Sequence, residues 1–135
     1  GVRQTRSAIS RAVARIRGAT SVPQDTPEEI LSASRELLQA ILQANPALES
    51  EDICSIFFTM TPDLCAVHPA LAARQMGWLA VPLLCAQEIA VPGSLGKVIR
   101  MLLHWNTDLP QQAIQHVYLR EAAALRPDLV NLASQ

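Results

Sequence analysis

The sequence predicts an α+β fold: a mixed β-sheet with helices on one face, built as a βαβαββ core and closed by one further short strand. Three observations carry this. Strand-like and helix-like segments alternate over the first half of the chain, strand-like segments follow one another directly over the second, and one helix start carries a clear cap. With 135 residues, 50% of them hydrophobic and 17% charged, the chain is sized for one core and has the balance of a soluble globular protein. It divides into an N-terminal extension, 1–12, and a single domain, 13–135.

The elements follow in order. "VARIRGAT" (13–20) alternates, with Val13, Arg15 and Arg17 on one side and Ala14 and Ile16 on the other, and Gly18 is expected to break the strand. In "DTPEEI", Thr26 suits the N-cap, Pro27 the first helical position, and Glu29 the place from which a carboxylate reaches back to the cap. Ile30, Leu31, Leu37, Leu38, Ile41 and Leu42 then form one apolar stripe, which Asn45-Pro46 ends. "DICSIFFTM" (52–60) reads as a strand, "TPDL" as a turn, and "HPALAARQMG" (68–77) as a short helix stopped by Gly77. "WLAVPLLCAQEI" (78–89) is a further strand that Pro82 assigns to an edge or a bulge. After the turn "VPGSLG" comes the strand "KVIRMLLHW" (97–105), then a loop or single helical turn in "TDLPQQAI", a short strand "HVYL" (116–119) and the tail "LRPDL".

Several chemistries are disfavoured. Cys54, Cys65 and Cys85 form no C-x-x-C pair and no even-numbered framework, which favours a reducing cytoplasm; His68, His104 and His116 are scattered, so no metal site is expected. There is no G-x-S-x-G elbow, and "PGSLGK" has the wrong spacing for a phosphate loop. No apolar run approaches the roughly 18 residues of a membrane span. A net charge of -1 argues against nucleic acid, although Arg3, Arg6, Arg11, Arg15 and Arg17 all precede the first acid, Asp25. That start resembles a transit peptide or a nucleic-acid arm, but it is short and merges into a strand, which favours a surface extension.

What stands out is a set of arginines: Arg17, Arg100 and Arg126 in or beside strand-like runs, and Arg74 on the second helix. A guanidinium cannot shed its proton, and burying it without an anion costs several kcal/mol. Arg100, amid valine, isoleucine, methionine and leucines, therefore calls for a negative partner. Glu88 is the one carboxylate embedded in a strand-like run and is a candidate for that partner. The alternative is that the anion is a ligand: arginines grouped with one carboxylate and the phenol of Tyr118 describe a pocket for a small molecule bearing two carboxylates and a hydroxyl.

The segments "RIRGAT", "DTPEEIL", "TPDL-AV-PA-AAR", "GW-AVPLLCAQEI", "KVIRM", "TD-PQ", "HVYL-EA" and "LRPDL", in that order from about Arg15 to Leu129, resemble the monofunctional chorismate mutases of the trimeric pseudo-α/β-barrel class. The resemblance implies a homotrimer with sites between subunits, no cofactor, and the substrate chorismate. It implies that Arg17 and Tyr118 bind the carboxylate of the enolpyruvyl side chain, and that Arg100 contacts both that carboxylate and the ether oxygen. Glu88 would accept the ring hydroxyl, helped by Cys85. A neighbouring subunit would bring the segment from His68 to Arg74, and the tail with Arg126 would close over the mouth. Ala70, Leu84 and Leu125 complete the substrate-binding set that it implies. His68 stands where the family often has phenylalanine, and Leu71 where it can have lysine, which removes a positive charge near the ring carboxylate.

A Claisen rearrangement needs no nucleophile and no proton relay, which agrees with the lack of triads and acid-base pairs. Arg100 would then meet the substrate as its anion, with its charge unpaired or hydrated in the empty site. A non-catalytic trimer that binds a small dicarboxylate is the competing expectation.

Overall fold

The computed structural model describes residues 12–128. The arginine-bearing stretch before residue 12, expected to be an extension, and residues 129–135 lie outside the described part.

Strand β1, Val13–Ser21, keeps the alternation read from its sequence: Ala14 and Ile16 are buried, Val13, Arg15 and Arg17 exposed. Gly18 does not break it. The strand runs on for three more residues because the glycine lies under the first helix, where an added Cβ would meet Ile41 Cδ1 at 2.8 Å and Leu37 Cδ1 at 3.3 Å. Glycine serves here for close approach of strand and helix, not for a turn.

That helix, α1, spans Pro27–Ala44 and turns Ile30, Leu37, Leu38 and Ile41 into the core, with Leu31 and Leu42 at its margin. Its start is half of the expected capping box. The Thr26 hydroxyl accepts from the Glu29 amide at 3.2 Å, but the Thr26 amide donates to the Gln24 carbonyl at 3.0 Å, so Glu29 has no cap amide to reach back for. At the other end Asn45 Nδ2 donates to the Ile41 and Gln115 carbonyls, both at 3.0 Å, while its Oδ1 accepts from the Gln115 amide at 3.0 Å. One buried side chain thus fastens the helix end to the segment leading into the last strand.

Strand β2, Ile53–Met60, follows a 3-10 turn and carries an irregularity between Ile53 and Ser55. Helix α2, Ala70–Gln75, ends in paired bonds from the Gly77 amide to the Arg74 carbonyl (3.0 Å) and from the Trp78 amide to the Ala73 carbonyl (3.1 Å), with Gly77 at φ +92°. This is the left-handed glycine stop that the sequence anticipates. The stop takes up Trp78, and the strand expected over 78–89 is shorter: its ladder with β2 begins only after Pro82, giving β3, Leu83–Gln87. Strand β4 is Val98–Asn106 and β5 only Val117–Tyr118, followed by a 3-10 helix, Arg120–Leu125.

The sheet order is β3-β2-β4-β1-β5, with β4 antiparallel to both neighbours and the two outer pairs parallel. It is a mixed α+β sheet, as the sequence predicts, and β3, preceded by Pro82, is an edge strand. Ile16, Ile56, Phe58, Ile99, Met101 and Leu103 meet α1 and α2 on one face to form the core. On the opposite face the 3-10 helix Arg120–Leu125 lies against the end of β1, where the Glu121 amide donates to the Ser21 hydroxyl at 3.2 Å; no α-helix of the described residues covers the rest, and none is long and apolar enough to cross a membrane.

Candidate active site

Paired residues on neighbouring strands share a face, so the register sets out the open side in rows. One row runs Arg17, Leu102, Phe57, Leu84; the next runs Tyr118, Ala19, Arg100, Thr59, Ala86. Where the rows meet, Arg17, Phe57, Thr59, Arg100, Leu102 and Tyr118 line a cleft of about 300 Å³.

Arg100 is not buried among its apolar neighbours. Strand period two sends Ile99, Met101 and Leu103 into the core and leaves Arg100 on the open face, its side chain 49% exposed. Nor is it unpaired: its Nε lies 3.1 Å from Glu88 Oε2. Of the two expectations, a protein partner or a ligand, the carboxylate in "CAQEI" is already in place. The same Oε2 accepts from the Thr59 hydroxyl at 2.6 Å. Two donors converge on one oxygen, and among the described residues neither Glu88 Oε1 nor the Arg100 Nη groups are engaged. The pair therefore holds Arg100 by one nitrogen and leaves its terminal donors unengaged among the described residues. Half exposed, it adds at most about 1 kcal/mol to stability.

Arg17 reaches the cleft from β1, and its guanidinium forms no hydrogen bond or ion pair among the described residues. Its backbone is more constrained. The Arg17 amide donates to His116 Nδ1 at 2.9 Å, just before the rungs by which β5 joins β1. Burial first, then the charges of Arg17 and Arg126, push the His116 imidazole below its ordinary value.

Arg126 does not lie on a strand. It follows the 3-10 helix, where its Nε and Nη2 donate to Asp128 at 3.1 and 2.9 Å; this carboxylate holds the guanidinium still more firmly protonated, with Tyr118 adding to the effect. Leu125, half-buried, precedes it.

The other expected residues gather elsewhere. His68, Ala70, Leu71, Arg74, Leu84 and Cys85 line a separate hollow of about 370 Å³ beside edge strand β3. Cys85 pairs with buried Phe58, so its side chain lies on the helix side of the sheet with His68, whereas Glu88 bonds to Thr59 of the open side. Within one chain the structure brings Arg17, Arg100, Glu88 and Tyr118 together. It does not bring His68, Arg74 or the Cys85 side chain to them.

Thr59, Phe57, Leu102 and His116 were not singled out by the sequence. For the first three a signal exists: alternation along 52–60 and 97–105 assigns them to the face of Arg100. His116 has none, because its role depends on a contact 99 residues away.

Residues 13–129 match the family model for chorismate mutase type I. The chain is 56% identical over 114 residues to the chorismate mutase AroH of Thermus thermophilus, covering 84% of this chain and 93% of the relative. It is 48% identical over 115 residues to that of Bacillus subtilis (strain 168), covering 84% and 90%. A solved chorismate mutase from Clostridium thermocellum superposes with a TM-score of 0.79 at 49% identity, over 82% of this chain and 97% of that one. A sheet face that groups two arginines and a phenol in one cleft, with a carboxylate paired to one of the arginines, together with these likenesses over most of the chain, places it in the chorismate mutase type I family.

Proposed function

We infer that the cleft on the open sheet face is where this enzyme, a chorismate mutase, rearranges chorismate to prephenate. One C–O bond breaks and one C–C bond forms within a single molecule, so the protein has two tasks. It must hold the enolpyruvyl arm over the ring, and it must stabilise charge as it gathers on the ether oxygen.

Arg17 and Tyr118 take the first task by binding the side-chain carboxylate, which fixes the reactive conformer and removes its entropy cost from the barrier. Arg100 takes part in both. Its Nη groups address the carboxylate and the ether oxygen, and a guanidinium held by Glu88 meets the growing charge without reorganising. Glu88 offers its free Oε1 to the ring hydroxyl while Oε2 keeps Arg100 and Thr59.

The observation that carries a shared site is the separation of the two groups on one chain. His68, Ala70 and Arg74 form the far wall only if a second copy supplies them. Exposed Phe57, Leu84 and Ile89, at 44%, 60% and 86%, give such a copy apolar surface to cover. A homotrimer closing into a pseudo-α/β-barrel, in the cytoplasm, completes the reading, with the domain running from residue 13 and Leu125 and Arg126 at the mouth.

Subunit complementation tests it. Arg100→Gln and Arg74→Ala proteins, each weakened alone, are unfolded, mixed and refolded together, and chorismate consumption is followed. Sites between subunits require the mixture to exceed both parents, since some sites then combine the intact half of each. Activity equal to the mean of the parents would place each site within one chain. A non-catalytic dicarboxylate-binding trimer would leave chorismate unconsumed by the parent protein.

A further inference from the structure

Along its outer edge β1 is closed only in part by another strand. Gly18 and Ala19 pair with Val117 and Tyr118, and the Leu119 amide donates to the Ala19 carbonyl at 2.9 Å. Beyond those rungs side chains take over. Gln111 accepts from the Arg15 amide at 2.9 Å and donates to the Arg15 carbonyl at 2.7 Å, while His116 accepts from the Arg17 amide at 2.9 Å. The imidazole stands where a strand carbonyl would stand, at the residue whose guanidinium enters the cleft.

We propose that His116, as a neutral ring with its proton on Nε2, is a positioning residue that sets the Arg17 backbone against the segment carrying Tyr118, and so fixes the spacing of the two carboxylate-binding groups. This rests on the reading that Arg17 and Tyr118 bind the substrate carboxylate. The chemistry is specific to one protonation state: an imidazolium has an N–H at Nδ1, and two N–H groups would then face each other across 2.9 Å. The charged groups around the ring are Arg17 from β1 and Arg126 from the tail, the latter paired with Asp128, and Tyr118 lies two residues along its own segment. Both arginines favour the neutral ring, as does its burial.

The test is a double-mutant cycle in the full chain, read as kcat and KM for chorismate, with melting temperature alongside. His116→Leu removes the acceptor and is expected to lower kcat/KM about five- to tenfold. His116→Asn, whose Oδ1 can accept the same amide and does not titrate, is expected to stay within about twofold. If His116 works through Arg17, His116→Leu has no further effect once Arg17 is alanine. As pH falls below the ordinary histidine value, the parent's kcat/KM falls while that of His116→Asn does not.

Equal losses from His116→Leu with Arg17 present or absent overturn the proposal, as does an acid limb that persists in His116→Asn. Should His116→Leu fail to fold, the acid limb decides alone. Arg17→Ala with unchanged KM is a different failure, since it removes the assignment of Arg17 to the substrate and not the tie between the two residues.

Discussion

Glu88 meets Arg100 side-on, through the guanidinium's Nε at 3.1 Å from Oε2, and shares that oxygen with the Thr59 hydroxyl at 2.6 Å. The arrangement spends one donor of the arginine on the protein and leaves the terminal ones facing the cleft. It also answers why a permanent cation is tolerated in so apolar a stretch of sequence.

Arg100→Gln is therefore expected to raise the barrier by about 3–4 kcal/mol, seen as a loss of two to three orders of magnitude in kcat. Arg100→Lys should restore part of it, since a point charge replaces a fork. A glutamine variant that turned over chorismate at the parent rate would remove the electrostatic half of the mechanism.

Thr59→Val deletes one of the two donors on Glu88 Oε2 and keeps the side chain's shape. Its expected effect is a fall of about five- to tenfold in kcat/KM, with folding stability changed by less than about 1.5 kcal/mol. Glu88→Gln should be milder than Glu88→Ala, because an amide oxygen still accepts a hydroxyl. Equal losses in those two variants would show that the carboxylate's charge is what matters.

Leu71, 37% exposed, lines the hollow with His68 and Arg74. Leu71→Lys adds a cation there and is expected to lower KM for chorismate by up to about fivefold, an effect that 1 M salt should largely screen. An unchanged KM at low salt would mean that this wall does not approach the substrate's ring carboxylate.

Gly18→Ala sets a methyl 2.8 Å from Ile41 Cδ1. Overpacking of this kind costs about 1–3 kcal/mol, which a shift in the urea midpoint would report. Ile41→Val removes that Cδ1, so the double variant should be more stable than the sum of the two single effects allows. Gly18→Ala as stable as the parent would mean that α1 has room to move away.

Acid should destabilise the protein over two pH windows. Asp25 is held below the ordinary carboxylate value chiefly by the Cys65 amide, and Asp63 chiefly by the Thr61 hydroxyl, then by the Lys97 amide. A depressed carboxylate stabilises the fold above its ordinary pKa of about 3.9 and loses that contribution as pH falls through its folded value. His116, also depressed, stabilises the neutral-pH fold and begins to lose its contribution higher, below about 6.5, where the unfolded chain takes up the proton first. Asp63→Asn should flatten the lower window and leave the upper one. Loss of the upper window in that variant would contradict the assignment to the histidine.

Much of this was readable from the chain. The order of elements follows from alternation, one cap and two stops, and Arg17, Arg100 and Tyr118 do share one cleft. What stayed hidden had physical causes. An apolar run around Arg100 looks interior because the sequence does not say that alternate residues of β4 face a side that no α-helix of the described residues covers. Gly18 carries the same letter whether it bends a strand or admits a helix, and only the distance to Ile41 distinguishes them. The tie from His116 to Arg17 joins residues too far apart in the chain for any local pattern to register.

The outer rim of β1 has a further consequence. A bare strand edge offers a template for foreign chains, and a two-residue neighbour shields little of it. By plugging the slots at Arg15 and Arg17 with Gln111 and His116, the protein denies an intruding peptide its first footholds. The side chains that finish the ladder thereby also guard against runaway strand-on-strand growth during synthesis and refolding.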